Sequence, residues 1–161
     1  MLSGDGGRRS KVSGSKPLKK NLSILCPSRG RPQSLENFLS SVVDTVTHPD
    51  RLEILIYVDD DDDTRFDYVS LLKFLAAEPH FQAMGNIDLV VDEPLRTPLI
   101  NNVLAERATG DIFLIANDDQ VFKTKGWDVR IDEEAAKFDD QIYCMWFNDG
   151  RYEEKICNGR R

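Results

Sequence analysis

The most constraining stretch of the chain is Leu52 to Asp59, LEILIYVD, which passes directly into an unbroken row of five aspartates, Asp59 to Asp63. A continuous apolar run of this length reads as a strand buried on both faces, and such strands sit in parallel sheets. Its carboxylates must then emerge together at one end. The rest of the chain supplies neighbours for it. Leu22-Ser23-Ile24-Leu25-Cys26, closed by Pro27, reads as a strand, as do Ile87 to Val91 and the fully apolar Ile112-Phe113-Leu114-Ile115-Ala116.

Helical segments alternate with these runs. Pro32 is placed to open a helix whose apolar residues Leu35, Phe38, Leu39, Val42, Val43 and Val46 recur at helical spacing, ended by His48-Pro49-Asp50. Phe66, Val69, Leu72, Phe74 and Leu75 give a partial helical period, and Pro98 to Ala108 a further helix. Thr109-Gly110 closes that last helix, glycine taking the left-handed C′ position. The expected class is therefore α/β, with one mostly parallel central sheet covered by helices on both faces. In such sheets the ligand lies beyond the carboxyl ends of the strands. Here those ends carry Pro27-Ser28-Arg29, then Asp59 to Asp63, then Asn117-Asp118-Asp119.

Charge narrows the function classes. The 161 residues hold 28 acids against 21 bases, a net charge of −7. Residues 1–20 hold six bases and one acid, so the remainder carries −12. We expect residues 1–20 to be a flexible basic tail and residues 21–161 to be one domain. An acidic body argues against nucleic acid as the main partner and suits divalent cations. No apolar run approaches the ~18–20 residues that span a bilayer. Cys26, Cys144 and Cys157 are scattered and unpaired in pattern, His48 and His80 are isolated, and HExxH is absent. Neither a disulfide scaffold nor a histidine-built site is indicated. With no secretory h-region, a cytoplasmic location is expected.

Each strand-end cluster has a sharp and a plain reading. In Asn117-Asp118-Asp119, adjacent carboxylates repel unless a cation or proton offsets them, which suits Mg²⁺ or Mn²⁺; the plain reading is a turn ending a strand. The five-aspartate row fails the EF-hand test, since Thr64 stands at the sixth position and Ser70 at the twelfth. Asp61 to Asp63 then read as a solvated turn, whereas Asp59 and Asp60 lie nearest the strand and could accept hydrogen bonds from a base or sugar. Arg29 and Arg31 flank a glycine and suit phosphate oxygens, or are surface arginines of a loop. The loop is neither a Walker A motif nor GxGxxG.

Taken in order, these motifs resemble the family 2 type glycosyltransferases of the GT-A fold. The resemblance rests on Pro27-Ser28-Arg29-Gly30-Arg31-Pro32 after the first strand and Val58-Asp59-Asp60 at the end of the second. Asn102 to Gly110, then Asp111-Ile112-Phe113-Leu114-Ile115, continue it, with Asn117-Asp118-Asp119 in the place of the Asp-x-Asp motif. It covers roughly residues 21–135 and implies a Rossmann-like GT-A domain binding a nucleoside-diphosphate sugar. It further implies that Pro27, Ser28, Arg29 and Arg31 line the nucleotide and phosphates, and that Asp59, with Asp60 beside it, meets the base. Asn102, Asn117 and Asp118 would complete the substrate site, Asp118 near ribose or sugar hydroxyls. Asp119 would bind the Mn²⁺ or Mg²⁺ that bridges the diphosphate. Three departures stand: Asn117 replaces the first acid of the metal motif, Leu104 a usual glycine, and the aspartate row the usual Asp-Gly-Ser-x-Asp.

Set beside the resemblance, the chain is expected to have an acceptor-binding half that is missing or minimal, and the acceptor (saccharide, lipid or protein) and the catalytic base are unassigned. Trp127 reads as a helix core residue or a sugar platform, and Trp146-Phe147-Asn148-Asp149-Gly150 as a strand entering a turn. The rival functional readings are a nucleotide-sugar-binding module without turnover and a sugar nucleotidyltransferase.

Overall fold

The structure, a computed structural model, describes residues 21–147. The basic segment 1–20, the Asn148-Asp149-Gly150 turn and Cys157 lie outside the described residues. Four strands, β1 (Leu22–Pro27), β2 (Leu52–Asp59), β3 (Asn86–Asp92) and β4 (Ile112–Ile115), form one sheet in the order β3-β2-β1-β4. Every pairing is parallel: Leu22 stands opposite Leu52 and Ile112, and Asp59 opposite Asp92. The helices are α1 (Pro32–Thr45), α2 (Arg65–Leu75), the short α3 (Pro79–Gln82), α4 (Thr97–Arg107) and α5 (Trp127–Ala135). The expected α/β sheet is present, with boundaries shifted by a residue or two. Among the described residues, no helix is long and apolar enough to cross a membrane.

Alternation along the strands sorts the core into two layers. Ile24, Cys26, Ile54, Ile56 and Ile112 pack on one face with Leu35, Phe38, Leu39 and Val42 of α1, Tyr68 and Leu75 of α2, and Trp127 and Ile131 of α5. Leu25, Leu55, Tyr57 and Val90 pack on the other face with Ile100 and Leu104 of α4. Each such side chain contributes on the order of 1.5–3 kcal/mol when fully buried. Leu104, where glycine was the family expectation, is a fully buried member of this second layer.

Several local expectations change. In α2 the buried side is Tyr68, Leu72 and Leu75, while Phe66 and Phe74 face solvent. In β4, Phe113 and Ile115 are exposed, because an edge strand beyond the reach of α4 keeps one apolar face uncovered. Gly110 does not adopt the left-handed conformation, which among the described glycines is confined to Gly30 and Gly126. Its role is spatial instead: a Cβ there would lie 2.5 Å from Ser23 Oγ and 2.8 Å from Ser23 N. Trp127 belongs to the core, its ring centroid 4.8 Å from that of Phe122.

Topology fixes where a ligand could sit. The chain steps outward from β1 through β2 to β3, then returns through α4 to place β4 on the other side of β1. The connections therefore diverge between β1 and β4, which opens a crevice at their carboxyl ends.

Candidate functional site

Ser28, the first residue beyond β1, extends the ladder by donating its amide to Tyr57 O at 2.9 Å. Its hydroxyl donates across the crevice to Asp118 Oδ2 at 2.5 Å and also meets the Tyr68 hydroxyl at 2.9 Å. Since the Ser28 proton goes to Asp118, Tyr68 donates to Ser28 Oγ, and the Tyr68 oxygen accepts the Arg31 amide at 2.9 Å. Burial pushes the Tyr68 phenol up, only partly countered by its bonds to Ser28 and Arg31, so it stays neutral and donates. Three segments, β1, α2 and the β4 end, meet on one serine.

The loop between β1 and α1 is clamped from the aspartate row. Gly30, at φ +68°, donates its amide to Asp62 Oδ2 at 2.7 Å, and Asp62 Oδ1 accepts from the amide and hydroxyl of Thr64, each at 2.8 Å. Asp62 is 4% exposed, so the middle of the row is not the solvated turn expected of Asp61 to Asp63. Burial raises its pKa, but the bonds from Thr64 and Gly30 outweigh that and hold it below the ordinary value. Arg29 Nη1 pairs with Asp59 Oδ2 and lies 2.6 Å from Asp61 Oδ1. These bonds raise the Arg29 pKa further, and the charge is permanent. Asp63 and Asp60 are exposed, and the Asp60 amide donates to Asp92 O at 2.8 Å.

On the β4 side, Asn117 and Gln120 form a tight turn, with the Asn117 amide donating to Gln120 Oε1 at 3.2 Å. Asp118 points inward and is fully buried, while Asn117 and Asp119 are exposed. Arg31 reaches both acids: Nη2 lies 2.6 Å from Asp118 Oδ1, and Nη1 lies 3.8 Å from Asp119 Oδ2. Two buried carboxylate oxygens, Asp59 Oδ1 and Asp118 Oδ1, have no aligned hydrogen-bond donor. Buried polar atoms are otherwise nearly always satisfied. Cys26 lies beneath, its thiol pushed well up by burial and then by the Asp118 charge, and is inert as a nucleophile.

Of the sequence-derived candidates, Pro27, Ser28, Arg29, Arg31, Asp59, Asp60, Asn117, Asp118 and Asp119 come together at this edge. Asn102 lies exposed on α4 and takes no part in the hydrogen-bond network described above. Two residues that hold the site, Tyr68 and Asp62, were not anticipated. Tyr68, Leu72 and Leu75 recur at i, i+4 and i+7, the spacing of one helix face, whereas Phe66 and Phe74 are apolar without being buried. Chemically, the edge offers arginine donors and a large excess of carboxylate acceptors. Among the described residues, no group of three or more His, Cys, Asp or Glu is arranged to hold a metal ion.

No family model and no curated protein matches the sequence. Solved structures do match the fold. A mannosyltransferase from Pyrobaculum calidifontis, solved with GDP-Man and Mn²⁺, superposes with a TM-score of 0.57 at 17% identity, over 71% of this chain and 32% of that one. TarS 1-349 of S. aureus gives 0.52 at 16% identity, over 75% of this chain and 32% of that one. The same protein with UDP-GlcNAc gives 0.50 at 14% identity, over 72% and 30%. The chain thus spans about a third of the length of these structures, and what it shares with them is the fold of a parallel α/β sheet.

Proposed function

We propose that this chain is a GT-A-like domain that binds a nucleoside-diphosphate sugar with a divalent cation and serves transfer of the sugar to an acceptor. The observation that carries the reading is the Ser28–Asp118 hydrogen bond at the β1–β4 crevice, flanked by Asp59 Oδ1, a buried oxygen without a donor, and Asp118 Oδ1, held only by the half-exposed Arg31 guanidinium. A site that leaves acceptors unsatisfied is built to receive donors. The fold likeness to transferases solved with GDP-Man and UDP-GlcNAc supports the same class.

In this reading Asp59 Oδ1 accepts an N–H of the base, with Asp60 beside it, and Pro27 and Ser28 form the floor under the nucleoside. Arg29 and Arg31 are the available donors to phosphate oxygens. Asn117 flanks the sugar end, whereas Asn102, exposed on α4, has no partner at this edge among the described residues. Charge requires the cation. Among the described residues, Arg29 pairs with Asp59 and Asp61 and Arg31 with Asp118 and Asp119, while Asp60, Asp62, Asp63 and Asp92 add further acid, so a diphosphate would be repelled without added positive charge. The residues fit a hard ion: the donors are oxygens, Asp118 Oδ1 lacks an aligned bond, and Asp119 is exposed beside it. Asp119, with the phosphates, would hold Mn²⁺ or Mg²⁺, which supplies Lewis-acid stabilisation of the departing diphosphate. Isothermal titration with UDP, GDP and their sugars, with and without Mn²⁺, tests the reading. Metal-dependent binding of at least one is expected; binding of none would end it.

A further inference from the structure

We propose that Arg31 is an exchangeable counter-ion, which neutralises the Asp118–Asp119 pair in the free chain and transfers to the diphosphate when a divalent cation takes its place. This rests on the reading above for the identity of the anion, but its first half concerns only this chain's own groups. Three observations lead to it. Arg31 is the cation closest to Asp118, a fully buried carboxylate, with Nη2 at 2.6 Å from Oδ1. Among the described residues, this ion pair with Arg31 is the only contact that holds that oxygen. The second nitrogen lies 3.8 Å from exposed Asp119, so one side chain spans both acids.

Contrast with Arg29 sharpens the assignment. Arg29 is bonded to Asp59 and Asp61, and the other oxygen of Asp59 is buried without a donor among the described residues. Arg31 instead covers the free oxygen of Asp118 itself. Its side chain is half exposed while its backbone is pinned, the amide donating to Tyr68. The guanidinium can therefore swing without moving the loop. A cation and an arginine cannot both rest on Asp118 and Asp119, because like charges at that separation repel. Arg31 leaving the acids would place its planar fork free at the crevice, where phosphate oxygens can accept it bidentately. Ion and diphosphate would consequently bind as a coupled pair, each favouring the other.

The whole chain, Arg31→Gln and Arg31→Lys are titrated with Mn²⁺ alone, followed by electron paramagnetic resonance of the free ion, after matched melting confirms folding. Arg31→Gln is expected to bind Mn²⁺ about tenfold more tightly than wild type, and Arg31→Lys to stay near wild type. Equal Mn²⁺ affinity in wild type and Arg31→Gln overturns the exchange. A wild-type measurement stands independently of the Gln variant. The Arg31 Nε–H resonance, assigned by its loss in Arg31→Lys, should move on adding Mg²⁺ alone and move again on adding UDP or GDP. A resonance indifferent to both additions also overturns it. Failure of wild type to bind any nucleotide sinks the functional reading and the transfer to a diphosphate, while the exchange of Arg31 for the ion is decided without nucleotide.

Discussion

Strand β1 carries a serine bonded to a carboxylate at each end, and the two pairs have opposite fates. At the amino end, Ser23 Oγ donates to Glu53 Oε2 at 2.5 Å, Thr109 donates its amide and hydroxyl to the same carboxylate, and the Gly110 amide donates to Ser23 Oγ. Every group has its partner, and the network closes on itself. At the carboxyl end, Ser28 Oγ donates to Asp118 Oδ2, also at 2.5 Å, yet Asp118 Oδ1 and Asp59 Oδ1 are buried without aligned donors. Identical chemistry thus makes a structural clamp where it is complete and a receptive crevice where it is not. Saturation of the acceptors, rather than residue type, separates the two.

The largest test of that contrast is Gly110→Ala. The new methyl would press on the Ser23 backbone and hydroxyl, so we expect a loss of about 2–3 kcal/mol in urea unfolding. Nucleotide affinity of the fraction that remains folded should be unchanged. Loss of binding beyond the loss of folded protein would mean the two ends are not independent.

Asp59→Asn probes the other end. Exchanging the unsatisfied oxygen for an amide should weaken nucleotide binding about tenfold, or 1.4 kcal/mol, while unfolding free energy stays within about 0.5 kcal/mol. A stability loss without an affinity change would make the carboxyl end a clamp like its counterpart.

The smallest effect lies in acid. Burial raises the Glu53 pKa, but bonds from Ser23 and Thr109 hold it below its ordinary 4.5, and Asp62 is likewise held below 3.8. A depressed folded pKa contributes stability that is full above the unfolded value and lost as pH falls through the folded one. Unfolding free energy should therefore decline below about pH 4.5. Glu53→Gln should flatten the upper part of that decline and Asp62→Asn only the part below 3.8. Identical profiles for both variants would remove the distinction between the two ends.

Much of this was written into the chain at short range. Unbroken apolar runs announced the parallel sheet, and polar clusters right after LSILC, LEILIYVD and IFLIA announced the polar edge of the crevice. What stayed illegible depends on pairings across long separations. Asp62 looked solvated because its partner, the Gly30 amide, is 32 residues away. Tyr68 carried no mark of its two bonds to the Ser28–Arg31 loop. Gly110 was read through helix-ending rules, whereas the constraint comes from Ser23, 87 residues earlier. Phe113 and Ile115 read as core because apolarity does not reveal that a strand will be last in its sheet.

The strand order also dictates a sequence of assembly. β1 meets β2 across 30 residues, Leu22 to Leu52, but meets β4 across 90, Leu22 to Ile112. Closing the longer loop costs about 1 kcal/mol more in chain entropy. As the polypeptide emerges from the ribosome, Ser28, Arg31, Asp59 and Tyr68 can settle around β1 and β2 well before Asp118 exists. The crevice is then closed by the most distant pairing in the sheet, so the Ser28–Asp118 bond forms only after β4 has been made.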